Sequence, residues 1–159
     1  MTVNHTNHDA ENPRDAQRPD SYLQSLGERV EHGLMAGLVG PERLEFFEAM
    51  RLLQAGDLDG AVGGFRRASR TSEQPFEALA MVALGECERA LGREAAALRD
   101  WMRVASTESA SATLRSVAWM SIAALAERRD DPRLGARAAA GLQELSQLAS
   151  ADEQLLSPD

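Results

Sequence analysis

Two twenty-residue stretches decide the fold: AMRLLQAGDLDGAVGGFRRA at residues 49–68 and GECERALGREAAALRDWMRV at residues 85–104. They align at a spacing of 36 residues, and each places a glycine-centred turn between two segments of helical apolar periodicity. Small residues and one aromatic residue recur in the same phase of both copies. They are Ala49, Gly56, Ala61, Phe65 and Ala68 in the first copy, and Gly85, Gly92, Ala97, Trp101 and Val104 in the second. A repeat of this period predicts stacked helix hairpins.

The order of these residues resembles the tetratricopeptide (TPR) repeat, whose period is about 34 residues. The resemblance implies an all-α fold: a right-handed superhelix of about three TPR-like helix hairpins, preceded by one amphipathic helix. It covers residues 42–106 well and residues 113–149 less well. In the third helix pair, Asp130 stands where the turn glycine is expected. The second helix of that pair carries Gly135, Ala139 and Leu142 at the repeat positions, with no aromatic residue.

Composition and local signals also favour helices. Aromatic residues make up only 4% of the chain, and strands are typically rich in aromatic and β-branched residues. Gly56, Gly92 and the Asp131-Pro132 pair mark turns or helix starts. The predicted helices cover residues 42–55, 58–71, 75–91, 93–106, 113–129 and 132–149.

The segments outside the repeats have different characters. Residues 1–19 are polar, contain Pro13 and Pro19 and show no apolar periodicity, so we expect a disordered tail. Residues 20–150 form the predicted helical domain, and residues 151–159 are expected to fray. The domain begins with an amphipathic helix over residues 21–39, whose apolar residues recur every four positions: Tyr22, Leu26, Val30, Leu34 and Leu38.

Charge, cysteine content and hydropathy argue against several classes of protein. The formal net charge is −8, which disfavours general nucleic-acid binding because phosphate backbones repel an acidic protein. Cys87 is the only cysteine, so no intrachain disulfide can form. No apolar run approaches the ~18 residues of a membrane span, and the first five residues show neither the basic start nor the apolar stretch typical of a signal sequence. We therefore expect a soluble cytoplasmic protein.

The TPR resemblance implies a partner-binding surface on the concave face, which the first helix of each hairpin lines. The implied lining residues are mainly apolar, with flexible Met side chains and a few charges, a combination that suits an amphipathic helix or an extended apolar segment. They are Arg43, Phe46, Met50 and Leu53 from the first hairpin, Leu79, Val82, Glu86 and Arg89 from the second, and Val117 and Met120 from the third. Ala124 and Glu127 continue the last group.

The same apolar residues allow a second interpretation. Phe46, Met50, Leu53 and Val82 could belong to the core, covered by the helix predicted over residues 21–39. A carboxylate clamp of the kind found in some TPR domains is not expected, because Phe46 and Met50 occupy positions where those domains place Lys and Asn.

Two classes of function remain. The first is a non-catalytic adaptor that holds another protein or peptide in the groove. Within this class, the length, the leading helix and the segment Leu84-Gly85-Glu86-Cys87 are similar to class II chaperones of type III secretion. The second class is a self-assembling scaffold subunit, such as a homodimer. An enzyme is not expected, since His5, His8 and His32 cannot be placed with a nucleophile and an orienting group. No cofactor and no metal site are predicted.

Overall fold

The computed structural model describes residues 43–156, which form six helices and no strand. The helices are α1 (Leu44–Gln54), α2 (Leu58–Thr71), α3 (Phe76–Ala90), α4 (Glu94–Ala105), α5 (Ala112–Arg129) and α6 (Pro132–Leu156). The all-α prediction is confirmed, and the predicted helix bounds agree within two residues except at the end of α6. That helix continues to Leu156, beyond residue 149. The predictions for residues 1–42 and 157–159 lie outside the described residues.

Each of the three hairpins turns in the same way. Gly56, Gly92 and Asp130 all adopt positive φ angles, of 80°, 75° and 50°. In the first turn the Gly56 N–H donates to the Leu53 carbonyl at 3.0 Å, and the Asp57 N–H donates to the Leu52 carbonyl at 2.9 Å. This pair of bonds defines a Schellman motif. The same pattern recurs at Gly92 and at Asp130. Asp130 therefore replaces the turn glycine without changing the turn.

Side-chain caps start three of the helices. The Asp57 carboxylate accepts from the Gly60 N–H at 2.9 Å, and the Ser111 side chain accepts from the Leu114 N–H. Asp131 accepts from the Leu134 N–H at 3.0 Å, with Pro132 in the first turn of α6 as the sequence predicted. Each cap satisfies a backbone donor that the first helical turn leaves unpaired.

The hairpins α1–α2, α3–α4 and α5–α6 pack in chain order. Each helix contacts the next one along the chain, and α3 also contacts α5, so the first helices of the second and third hairpins are neighbours. This succession is the arrangement that stacked hairpins require. The superhelical path and the relationship to TPR proteins stay predictions.

Aromatic side chains fill the space between the first two hairpins. Phe65 and Trp101, the recurring aromatic residues of the repeat, are fully buried. The Phe46 ring lies 5.6 Å from the Phe47 and Phe65 rings and 5.7 Å from the Phe76 ring, all edge to face. All four phenylalanines of the chain therefore belong to one cluster, in an orientation that aromatic pairs favour.

Glycines let the helices of each hairpin approach closely. A Cβ atom at Gly64 would lie 2.6 Å from the Ala49 Cβ, so α1 and α2 touch there. A Cβ atom at Gly85 would lie within 3 Å of the Trp101 indole. The Trp101 Nε1–H also donates to the Val82 carbonyl at 3.3 Å. Gly64 thus allows α1 to approach α2 at Ala49, and Gly85 makes room for the Trp101 indole.

The third hairpin reverses the positions of its large and small residues. Trp119 on α5, the first helix of the pair, packs against Gly141 on α6, where an added Cβ atom would overlap the indole. The repeat positions predicted on α6 were wrong in phase: Ala139 is exposed, and Ala138, Gly141 and Leu145 are buried. The physical reason is that α5 already supplies the bulky side chain, so α6 must present its small residues to Trp119.

Ion pairs connect successive hairpins. The Glu88 carboxylate is buried and accepts from Arg66 at 2.6 Å and from Arg93 at 3.3 Å. Arg93 also contacts Asp59 at 3.0 Å, which ties the turn of the second hairpin to the start of α2. Because a buried carboxylate is costly without partners, Glu88 favours one register between the first two hairpins.

Candidate binding face

The residues predicted to line the groove do not share one environment. Half of them are buried: Phe46, Met50, Val82, Glu86 and Val117. Four are half-buried: Arg43, Leu53, Leu79 and Arg89. Met120 alone among the ten is exposed, at 52%. The structure therefore places much of the predicted lining in the interior and leaves its α5 end at the surface.

The α1 residues belong to the aromatic cluster. Phe46 is fully buried and Met50 is only 4% exposed, so neither presents an open apolar surface. The Arg43 guanidinium lies 4.6 Å from the centre of the Phe76 ring, in a cation–π contact that joins the start of α1 to the start of α3. This environment matches the interpretation of Phe46 and Met50 as core residues.

The middle of α3 is buried on all sides. Every residue from Ala80 to Glu88 is buried, including Val82 and Glu86 of the predicted lining. Cys87 lies in this stretch, where burial and the neighbouring carboxylates of Glu86 and Glu88 raise the pKa of its thiol to about 12. A thiol with such a pKa stays protonated at neutral pH and is a poor nucleophile.

The exposed side of α5 forms a stripe along the helix. Thr113, Met120, Ala124 and Glu127 are all exposed and lie three, four or seven residues apart, so they share one face of the helix. The opposite side of α5 is buried and includes Ile122 and Leu125. The stripe therefore faces away from the core of the hairpins.

One border of this stripe is a polar junction between α3 and α5. Glu86 is 4% exposed and its Oε1 accepts from the Ser121 hydroxyl at 2.8 Å. Its other oxygen, Oε2, accepts from the Arg89 Nε–H at 2.9 Å. The Arg89 side chain is 17% exposed, so part of it reaches the surface. We call Arg89 together with Thr113, Met120, Ala124 and Glu127 the α3–α5 face.

Arginines gather at one end of this face. Glu94 accepts from Arg129 at 2.7 Å and from Arg128 at 3.2 Å, linking the start of α4 to the end of α5. Hydrogen bonding from Arg129, followed by the charges of Arg129, Arg128 and Arg89, lowers the pKa of the Glu94 carboxyl. Three guanidinium groups are thus close enough to act on one carboxylate.

Sequence reasoning missed Ser121 and the half-buried Asp100. Ser121 falls on the side of α5 that faces α3, and its hydroxyl became recognisable as a partner only once Glu86 was seen to be buried. Asp100 precedes Trp101 and aligns with Gly64 of the first copy. A charged residue at a closely packed repeat position is unusual, and this signal could have identified Asp100 from the sequence. In the described part of the chain, the Asp100 Oδ2 is buried without a hydrogen-bond donor.

Residues 43–156 contain no group of three or more His, Cys, Asp or Glu side chains placed to hold a metal ion. None of the described helices combines the length and apolarity needed to cross a bilayer. Comparison of the chain with protein-family models, with curated proteins and with solved structures finds no match.

Proposed function

We propose that the chain is a non-catalytic module that binds another polypeptide at the α3–α5 face. The observation that carries the proposal is Met120, a flexible apolar side chain that is 52% exposed on the α5 stripe. Exposed methionines adapt to differently shaped apolar partners. A rigid row of packed helices supplies a fixed surface on which such a side chain can act.

The face has the mixed character of a protein interface. Its centre is apolar, with Met120 and Ala124, and its border carries Arg89 and Glu127. Methionine and arginine are enriched where proteins meet, and a polar border around an apolar centre is the usual arrangement. The TPR resemblance supports the same face, because it implies that the first helix of each hairpin contacts the partner. The narrower similarity to type III secretion chaperones gains no further support.

Self-assembly is the second candidate, favoured by a different observation. Leu148 on α6 is 52% exposed and Leu44, at the start of α1, is 57% exposed. These two leucines lie on the first and the last of the described helices, where a stack of hairpins would meet another copy. A homodimer that formed through Leu44 or Leu148 would leave Met120 free.

A matched pair of substitutions tests both candidates. Met120→Asp and Leu148→Asp introduce the same charge at side chains of equal exposure on different helices. We expect Met120→Asp to abolish recovery of a partner in affinity purification from the native cell, and Leu148→Asp to retain it. Recovery of the same partner with Met120→Asp would contradict the proposal. A dimer, measured by light scattering, that Leu148→Asp alone converts to a monomer would favour self-assembly.

A further inference from the structure

Two Glu–Arg ion pairs, each between residues three positions apart on one helix, differ in the number of hydrogen bonds that join them. On α1, Arg51 Nε donates to Glu48 Oε2 at 2.9 Å and Arg51 Nη2 donates to Glu48 Oε1 at 2.6 Å. That arginine is satisfied on two of its nitrogens by both carboxylate oxygens. On α3, Arg89 Nε donates to Glu86 Oε2, also at 2.9 Å, but Glu86 Oε1 is occupied by the Ser121 hydroxyl. Arg89 and Glu86 therefore share one hydrogen bond, whereas Arg51 and Glu48 share two.

The consequence is a guanidinium that is anchored at Nε and whose Nη donors are unused. Within residues 43–156, no acceptor takes a hydrogen bond from either Nη group of Arg89. Glu86 is buried and bonded through both oxygens, so its carboxylate is held in place and anchors Arg89 at Nε. The planar fork of arginine matches a carboxylate, and little conformational entropy remains to be lost when the arginine is already oriented.

We propose that the α3–α5 face binds a peptide segment with an acidic side chain, whose carboxylate pairs with the Nη groups of Arg89 while a neighbouring apolar side chain packs on Met120. This proposal rests on the proposed function and names the chemistry of its partner. Arg128 and Arg129 add positive charge at the same end of the face, although Glu94 already pairs with both.

A phosphate group would also match an arginine fork. The acidic groups near Arg89 argue against it, because Glu86 and Glu94 repel a dianion about twice as strongly as a single carboxylate. Phosphate sites also place several unpaired cations together, whereas Arg128 and Arg129 are engaged with Glu94. Of these two anions, the charges of this face therefore favour the monoanionic carboxylate.

The experiment is a nuclear magnetic resonance titration of the full chain, following the Arg89 Nε–H signal and the Met120 methyl signal. The probes are acetyl-Leu-Asp-Leu-amide, its Leu-Asn-Leu counterpart and inorganic phosphate. We expect the Asp peptide to move both signals with a Kd of about 1 mM and the Asn peptide to bind about tenfold more weakly. Arg89→Lys keeps the charge but loses the fork, and it should weaken the Asp peptide about tenfold. Arg51→Gln is the matched control and should change nothing.

Several results would overturn the inference: equal binding of the Asp and Asn peptides, wild-type affinity in Arg89→Lys, loss of binding in Arg51→Gln, or tighter binding of phosphate than of the Asp peptide. Movement of the Met120 methyl signal by both peptides, with no movement at Arg89, would reject the acidic partner and leave the face as a binding surface. If neither signal moves with any probe, the inference is also overturned. The affinity purification with Met120→Asp then decides separately whether the face binds a partner.

Discussion

Two adjacent glycines in the middle of α2 have opposite roles. A Cβ atom at Gly64 would lie 2.6 Å from the Ala49 Cβ, whereas one at Gly63 would meet only Arg67 Nη1, at 3.7 Å. Glycine is a poor helix former, but the sequence alone does not show which of these two glycines the packing requires. That distinction depends on which side of α2 faces α1.

The two glycines give a matched prediction. Gly63→Ala should stabilise the protein by about 0.5–1 kcal/mol, because alanine restricts the unfolded chain and favours the helix. Gly64→Ala should cost about 1–3 kcal/mol through overpacking against α1. Urea unfolding of both variants measures the two changes. Equal effects of the same sign would contradict the close contact at Gly64.

Asp100 is a carboxyl group in an unfavourable place. Burial and the nearby Glu88 carboxylate raise its pKa above the ordinary value of 3.8, against the opposing effects of Arg99 and Arg66. Native Asp100 thus binds its proton more readily than unfolded Asp100 does. The free energy of unfolding therefore increases as the pH falls through the raised pKa of Asp100. At pH values above that pKa, the charged carboxylate destabilises the folded protein by a constant amount.

We expect Asp100→Asn to melt at a higher temperature than the wild type at pH 7, because the amide carries no charge to desolvate. The difference should shrink as the pH falls through the raised pKa of Asp100, where the wild-type carboxyl becomes neutral. Thermal melts between pH 3 and 7 record this convergence. A variant that is less stable than the wild type at pH 7 would show that the Asp100 charge is compensated.

At the scale of the elements, the turns were the most predictable part of the fold. Gly56 and Gly92 were recognised from their spacing, and both adopt the left-handed conformation that glycine allows. Asp130 looked like a departure from the repeat, yet it keeps the same φ sign and the same hydrogen bonds. Turn geometry was therefore more regular than the sequence suggested, because aspartate tolerates the left-handed region better than most residues.

Exchanging the turn residues tests this equivalence. Asp130→Gly should stabilise the protein by up to about 1 kcal/mol, since glycine has no Cβ atom to clash in the left-handed region. Gly92→Asp should cost a similar amount, because no atom lies within 4 Å of its added Cβ and only the backbone conformation is strained. Chemical denaturation provides both values. Destabilisation by Asp130→Gly would indicate that the aspartate side chain contributes beyond the turn.

The phase of α6 could not be predicted from the sequence. Alanines at 136, 138, 139 and 140 give that helix no contrast between an apolar and a polar face. Only the position of Trp119 on the facing helix selects Ala138 and Gly141 as the buried residues. To predict which residues of α6 are buried, one must know how α6 packs against α5, and the periodicity of one helix does not contain that information.

For the whole molecule, the sequence could not predict which residues of α1 and α3 are buried. Helical spacing identified which residues share a face, but it does not reveal whether that face is covered. Phe46 and Val82 have no exposed surface, whereas Met120 on α5 is half exposed. The repeat pattern thus predicted the row of helices, and the structure was required to locate its open part.

The contrast between these ends of the row predicts two different responses to the same substitution. Phe46→Glu places an uncompensated carboxylate among three aromatic rings and should cost about 4 kcal/mol or more. Met120→Glu stays hydrated and should change stability by less than about 0.5 kcal/mol. Thermal melts of the two variants are sufficient. Near-native melting of Phe46→Glu would place the groove on α1 instead of on the α3–α5 face.

The most direct test of partner binding at the α3–α5 face is photo-crosslinking in the native cell, with p-benzoylphenylalanine placed at residue 120. The control places the same group at residue 70, where Arg70 is exposed on α2, away from the face. We predict a discrete adduct with another protein from position 120 and none of that adduct from position 70. The account is contradicted if position 120 yields no adduct, yields only a second copy of the chain, or yields the same adduct as position 70.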